Sequence, residues 1–193
     1  MKMFLQISIA LITIVGLFFA LGYLVKEQKN INEIVVKAPR ELCWEVYQDE
    51  SRISEWMESV IGVDMITDDT TVTVGTQQQI RMSSATGASI AESGSDLFRT
   101  ITEVVEPRLF SYDYTSGMID GNASITFTAN DSTTTIKSVN LFSAKELWMR
   151  STLFLIKSSI NKDTQAQFDR LKILIENDYK AQQEKQAKDQ IEL

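Results

Sequence analysis

The sequence contains no histidine and only one cysteine, two prolines and eight glycines in 193 residues. The absence of histidine excludes Ser-His-Asp and Cys-His catalysis and removes the commonest protein ligand of transition metals. A single cysteine excludes an intrachain disulfide and leaves the redox compartment undecided. So few prolines and glycines exclude a long Pro/Gly-rich linker. We predict no metal, no cofactor and one continuous folded domain.

Positive charge is also scarce. The sequence has 19 Lys and Arg residues and 26 Asp and Glu residues, which gives a net charge of −7. Nucleic-acid-binding proteins usually present a basic face or stripe. The nearest approach to one, residues 26–37, is interrupted by Glu27 and Glu33. We therefore predict no nucleic-acid partner. The apolar fraction of 44% and the charged fraction of 23% are typical of a globular protein and exclude wholesale disorder.

Residues 3–25 form a long, mainly apolar run without a charged side chain, and no other part of the sequence has such a run. As a helix this run is about 34 Å long, enough to cross a hydrocarbon core of roughly 30 Å. Lys2 and Lys26 bracket it. The pattern predicts a single-pass membrane protein in which residues 1–29 form a transmembrane anchor and connector.

A cleaved signal peptide is the alternative, since Ala20 and Gly22 offer small residues in a cleavage-like pattern. The apolar run is nevertheless longer than the roughly 7–15 residues of a signal-peptide core, which favours the anchor. The side of the membrane stays undetermined. A weak preference for a cytoplasmic domain comes from the positive residues that follow the run: Lys26, Lys29, Lys37 and Arg40.

Hydropathy patterning predicts an α+β domain over residues 30–178, followed by a polar tail over 179–193. A long helix from residue 145 carries an apolar stripe at Phe168, Leu171 and Ile175. This helix is the element able to cover the apolar face of the predicted antiparallel sheet. The predicted strands are 31–37, 60–66, 71–82, 97–105, 109–115, 123–129 and 133–141, with short helices at 39–48 and 50–57 after the first strand.

Five short motifs in one order resemble those of a known superfamily. They are residues 37–44 (KAPRELCW) after an apolar strand, 53–56 (ISEW), 74–76 (VGT), 101–109 (ITEVVEPRL) and 168–176 (FDRLKILIE). The resemblance is to the helix-grip superfamily of START and Bet v 1-like proteins, in the SRPBCC branch labelled polyketide cyclase/dehydrase. It extends over residues 31–176. It implies a curved antiparallel sheet of six or seven strands wrapped on a long C-terminal helix, with an apolar cavity between them.

The resemblance does not imply one activity, because the superfamily includes carriers, cyclases and partner-binding modules. We expect a membrane-tethered binder or carrier of a hydrophobic small molecule or lipid. The alternatives are a cyclase/dehydrase-like enzyme that uses Tyr, Glu or Arg, and a tethered protein-interaction module. No catalytic residue is predicted. The candidates for contact with a ligand, each of which is alternatively plain core, are Trp56, Phe110, Tyr112, Phe127, Trp148 and Leu155.

Three further side chains are site candidates because two are charged and one is a thiol. Glu103 and Arg81 lie in predicted strands, where an inward-facing charge would mark a site. We expect both to face solvent. Cys43 lies beside Trp44 without a histidine to activate it, so we expect a buried structural thiol.

Overall fold

The computed structural model describes residues 2–67, 71–83 and 96–191. It has an apolar N-terminal helix and an α+β domain, as the sequence predicts. The helices are α1 (Lys2–Leu24), α2 (Arg40–Gln48), α3 (Ile53–Trp56), which follows a 3-10 turn (Glu50–Arg52), and α4 (Leu147–Ile191). The strands are β1 (Gln28–Val36), β2 (Val60–Met65), β3 (Gln77–Met82), β4 (Leu97–Val105), β5 (Leu109–Ser116), β6 (Ile119–Asn130) and β7 (Thr133–Ala144).

The seven described strands form one antiparallel sheet in the order β1-β7-β6-β5-β4-β3-β2. β1 and β2 are consecutive strands, yet they lie at opposite edges, because α2 and α3 cross between them. α4 packs against β1 and against both short helices. The sheet therefore has one face covered by helices, and alternate strand residues point into the space between them.

The core lies between the sheet and the central part of α4. Phe168, Leu171 and Ile175 are 5%, 0% and 0% exposed, which confirms the predicted stripe. Trp44 of α2 packs edge-to-face on Phe127, with ring centroids 5.4 Å apart. Such aromatic pairs contribute about 0.5–1.5 kcal/mol beyond their buried area. Apolar side chains therefore fill the space between the sheet, α2 and this part of α4.

α1 meets the domain at the first turns of α4. Gly22 lies so close to α4 that an added Cβ would stand 2.3 Å from the carbonyl oxygen of Leu147. The Ser151 hydroxyl donates to the carbonyl oxygen of Phe18 at 2.5 Å. In the described part of the chain, α1 is the one helix long and apolar enough to cross a membrane, a property that a signal sequence shares.

The predicted strand over residues 71–82 is shorter than expected and begins at Gln77. Gly75 has a positive φ of 95°, and its N–H donates to the carbonyl of Ile101 at 2.8 Å. This bond joins the turn before β3 to β4. Residues 68–70 and 84–95, which lie between predicted strands, are outside the described residues.

Other boundaries also differ from the prediction, and β6 and β7 are longer than expected. β1 begins at Gln28, inside the predicted connector, because Gln28 pairs with Phe142 of β7. α4 continues to Ile191 through the region predicted as a polar tail, and residues 180–190 are exposed on it. A solvated helix there is consistent with the polar composition of this region.

Candidate functional site

A cavity of about 190 Å³ lies between the concave face of the sheet and the middle of α4. Strands place residues in its wall by their alternation, and α4 closes it with side chains one turn apart. Most of the wall is apolar and includes Ile53, Trp56, Met57, Ile80, Ile125 and Phe168. The arrangement is a pocket for a hydrophobic group.

One wall of the cavity carries a buried cation. Arg99 on the inner face of β4 is 8% exposed, and its Nε donates to Oε1 of Gln78 at 2.5 Å. Its Nη2 lies 3.2 Å from the Glu50 carboxylate, which also accepts from the Gln78 amide. The guanidinium carbon lies 5.4 Å from the ring centroid of Tyr112 and 5.6 Å from that of Phe110. This pairing stabilises a charge that would be costly to bury alone.

Three tyrosines stand beside this cation. Burial raises the pKa of Tyr47 and of Tyr112, and the nearby Arg99 guanidinium lowers each pKa only partly. Burial also raises the pKa of Tyr114, whose hydroxyl donates to Oδ1 of Asn140 at 2.9 Å. The three phenols are therefore protonated at neutral pH. They offer hydrogen bonds to a ligand but are poor proton acceptors.

Two further donors in the wall lack a protein partner. Within the described residues, the indole N–H of Trp56 and the amide nitrogen of Gln48 are buried without a hydrogen bond. Leaving a buried polar group unsatisfied costs about 1–3 kcal/mol, and most such groups in native proteins find a partner. The cavity thus combines an apolar body with donors that match an acceptor oxygen.

The sequence itself assigns the domain to a family. A family model described as polyketide cyclase / dehydrase and lipid transport matches residues 31–176. The chain belongs to this family. The match covers the sheet, both short helices and the buried part of α4, and it leaves out α1.

Several solved structures have the same fold at low sequence identity. The Zhui aromatase/cyclase of Streptomyces has a TM-score of 0.62 at 12% identity, with 78% of this chain and 94% of that chain covered. A conserved protein of Geobacillus kaustophilus has a TM-score of 0.59 at 14% identity, covering 77% and 95%. Norcoclaurine synthase of Thalictrum flavum, in complex with dopamine and hydroxybenzaldehyde, has a TM-score of 0.56 at 15% identity, covering 77% and 86%. No curated protein matches the chain.

The structure distributes the six predicted ligand-contact residues over three places. Trp56 and Tyr112 line the cavity. Phe110 and Phe127 are 1% and 2% exposed and lie in the core behind its wall.

Trp148 and Leu155 do not reach the cavity and are 44% and 61% exposed. They lie on the first turns of α4, before the helix enters the concave face at Ile160, so their placement in the cavity is corrected. Contact of any of the six with a ligand stays a prediction.

Sequence reasoning missed the buried polar cluster. Arg99 precedes the buried Ile101 by two residues, so strand alternation alone puts both on the inner face. Gln78 has the same relation to Ile80. The signal was present in both strands, whereas Glu50 reaches the cluster from a 3-10 turn that no periodicity predicts.

The other predicted orientations are confirmed. Glu103 is exposed, and Arg81 is exposed beside Asp64, with 2.6 Å between Nε and the carboxylate oxygen. Cys43 is 0% exposed, and burial raises the pKa of its thiol to about 11. The thiol is therefore protonated and sheltered at neutral pH.

Proposed function

We propose that this chain is a membrane-tethered binder of a compact hydrophobic small molecule. The observation that carries the proposal is the cavity of about 190 Å³, with its apolar wall and the unpartnered N–H groups of Trp56 and Gln48. An apolar ligand body removes hydrophobic wall area from water, and an acceptor oxygen on the ligand satisfies the free donors.

The cavity volume limits the size of the ligand. Pockets for drug-sized ligands measure about 300–1,000 Å³, whereas an apolar cavity of about 150 Å³ holds a molecule as small as benzene. A ligand of one or two rings, or a short chain, therefore fits the cavity of this protein. Norcoclaurine synthase, which has the same fold, is described with the single-ring compounds dopamine and hydroxybenzaldehyde. A complete two-chain lipid requires displacement of α3 or α4.

The polar wall supports binding more directly than catalysis. Glu50 is occupied by Arg99 and Gln78, so it is not a free base. The raised pKa values of Tyr47 and Tyr112 keep their phenols protonated. These phenols do favour one alternative, an enzyme of the cyclase/dehydrase kind in which a tyrosine donates a proton or hydrogen bond to a ligand carbonyl.

Membrane tethering is part of the proposal and is supported by α1. The helix has the length and composition of a span, and its last turns pack on α4 through Gly22 and Ser151. A cleaved signal sequence has no need of a fitted contact with the mature domain. The tether keeps the cavity close to a bilayer in which hydrophobic molecules are concentrated.

The test fills the cavity and compares it with a matched surface change. Ala123 on β6 is 3% exposed and lines the cavity, and Ala129 on the same strand is exposed. The full chain, Ala123→Phe and Ala129→Phe are each placed in nanodiscs of synthetic phosphatidylcholine. The two-ring probe 2-naphthol is then titrated by fluorescence, with empty nanodiscs as the blank.

We expect wild type and Ala129→Phe to bind the probe alike, and Ala123→Phe to bind it at least about tenfold more weakly, a change of 1.4 kcal/mol. Circular dichroism and thermal unfolding confirm that both variants fold. No binding by wild type, or equal binding by a folded Ala123→Phe, contradicts the proposal and favours a protein-interaction module. Chemical conversion of aromatic ketone substrates by wild type, lost in Tyr112→Phe, favours the enzyme.

A further inference from the structure

A second concave surface lies outside the cavity, between the edge strand β1 and the first half of α4. This anchor-side groove has a volume of about 400 Å³ and shares no lining residue with the cavity. Its lining residues are Lys29, Asn30, Ile31, Phe154, Leu155, Lys157, Ser158 and Asn161. The family match names nothing at this surface.

The floor of the groove contains polar groups without partners. Asn30 is 3% exposed, yet in the described residues neither its Oδ1 nor its Nδ2 has a hydrogen-bond partner. Oδ1 of Asn161 on α4 is also buried and unpartnered. By contrast, Asn32, two residues further along the same face, donates to the carbonyl of Asn161 at 3.2 Å and to Gln165 at 3.1 Å. The Asn32 amide is satisfied, whereas the side chains of Asn30 and Asn161, which line the groove, keep buried polar atoms without a partner.

The rim of the groove is basic in an acidic protein. Lys29 and Lys157 both line it, and none of the described lining residues is acidic. Residues 145–162 of the chain contain four basic side chains and one acidic one, against a net charge of −7 for the whole sequence. Glu33, the next acidic residue along β1, lies on the same face of the strand as Lys29, and its Oε2 is 3.7 Å from Nζ of Lys137. The charge at the groove therefore complements an anion.

The other side of the groove is apolar and adjoins α1. Ile31, Phe154 and Leu155 are 47%, 41% and 61% exposed. Phe154 and Leu155 follow Ser151, which is hydrogen-bonded to Phe18 of α1, by about one turn along α4. If α1 crosses the bilayer, its last turns lie at the membrane boundary, and this surface lies there with them. Exposed aromatics are characteristic of that depth.

We infer that the anchor-side groove binds an anionic phospholipid of the bilayer that holds α1. The phosphate lies between Lys29 and Lys157, while an acyl chain lies along Phe154 and Leu155. This inference rests on the membrane tether of the proposed function but not on a ligand in the cavity. It makes the lipid a part of the contact between the anchor and the domain.

The experiment measures which lipids leave the bilayer with the protein. The full chain is placed in nanodiscs of phosphatidylcholine and phosphatidylglycerol in equal amounts, and native mass spectrometry identifies the lipids that stay bound. The test variant is Lys29→Ala/Lys157→Ala. The control, Lys185→Ala/Lys188→Ala, removes the same charge from the exposed end of α4.

We expect wild type and the control to retain phosphatidylglycerol in preference to phosphatidylcholine. Because lysines near an anionic surface attract its headgroups, the test variant should lose that preference by at least about fivefold. Equal retention of the two lipids by wild type, or an unchanged preference in the test variant, overturns the inference. If the protein in nanodiscs of pure phosphatidylcholine instead retains added inorganic phosphate, the groove is a site for a free anion and not for a lipid. This result would also overturn the inference.

A separate preparation distinguishes this inference from its premise, the membrane tether. Membranes that contain the full chain are washed with alkaline carbonate before the lipid analysis. If the chain stays in the membrane but shows no lipid preference, the lipid site is wrong and the membrane tether is supported. If the wash releases the chain, both the tether and the lipid site that depends on it are wrong.

Discussion

The two halves of α4 bury their apolar residues in different ways. In the central segment, residues 160–179, one stripe that includes Phe168, Leu171 and Ile175 lies against the sheet and the short helices. In the proximal segment, residues 147–158, Met149 and Leu153 are buried against the sheet, at 5% and 1% exposed. This segment nevertheless leaves three large apolar side chains exposed on other sides: Trp148, Phe154 and Leu155.

The difference shows how many partners each segment has. A helix with one apolar stripe packs against one neighbour, and a helix that is apolar on several sides has more than one apolar neighbour. The central segment packs against the domain. The proximal segment packs against the domain and α1, and further apolar side chains on it remain exposed. One helix thus joins the folded domain to α1.

The largest expected effect separates the two segments by stability. Leu171→Ala removes a 0% exposed side chain of the central segment and should lower the free energy of unfolding by about 2–5 kcal/mol, because a cavity remains. Leu155→Ala, at 61% exposed in the proximal segment, should change it by less than about 0.5 kcal/mol. Urea unfolding of the full chain in nanodiscs, followed by circular dichroism, measures both. Similar losses in the two variants would refute the distinction between the segments.

An intermediate effect tests the contact of the proximal segment with α1. Gly22→Val places a Cβ 2.3 Å from the Leu147 carbonyl oxygen, and overpacking of this kind costs about 1–3 kcal/mol. Hydrogen exchange at residues 147–153 should therefore become faster. Gly16→Val is the control on the same helix, since a Cβ at Gly16 meets nothing within 4 Å. Unchanged exchange in Gly22→Val would mean that α1 does not pack on α4 in the bilayer.

The smallest effect concerns pH at the cavity below the central segment. Tyr47 has a pKa of about 10.0 when unfolded and a higher pKa when folded, because burial disfavours the phenolate. Between these pKa values the folded state binds more protons, so this contribution is complete below pH 10 and is lost as pH rises above it. The loss is at most about 1.4 kcal/mol per pH unit for one such tyrosine.

Unfolding experiments between pH 8 and pH 11 measure this loss, and Tyr47→Phe should reduce the pH dependence. Tyr112, whose pKa is also raised by burial, keeps part of the dependence in that variant. An identical pH profile in wild type and Tyr47→Phe would show that Tyr47 is accessible to water, and the cavity would then be wetter than the structure indicates.

The sequence predicted the fold because most elements bury one face against one neighbour. β4 has the predicted bounds, and β5 and β7 begin at the predicted residues, since alternation of apolar and polar residues is unambiguous there. The stripe at Phe168, Leu171 and Ile175 was equally clear. Periodicity failed at Gly75, where a positive φ and a backbone hydrogen bond to Ile101 decide the path of the chain.

The site was less predictable from the sequence because its residues contact more than one neighbouring element. Trp148 and Leu155 continue a helical apolar pattern, but periodicity does not say whether an apolar side chain meets the sheet, another helix or a bilayer. Arg99 could have been placed inward from Ile101. Its pairing with Glu50 depends on a contact between residues 49 positions apart, which no local pattern contains.

The burial of Cys43 has a practical consequence for every experiment above. The only sulfhydryl of the chain is 0% exposed, and its pKa of about 11 keeps it in the unreactive thiol form at neutral pH. Alkylating reagents and thiol-directed spin labels therefore should not react with the native protein. A cysteine introduced at any exposed position becomes a unique attachment point for a fluorophore or spin label, and distances from the anchor to the cavity rim become measurable without first removing a native residue.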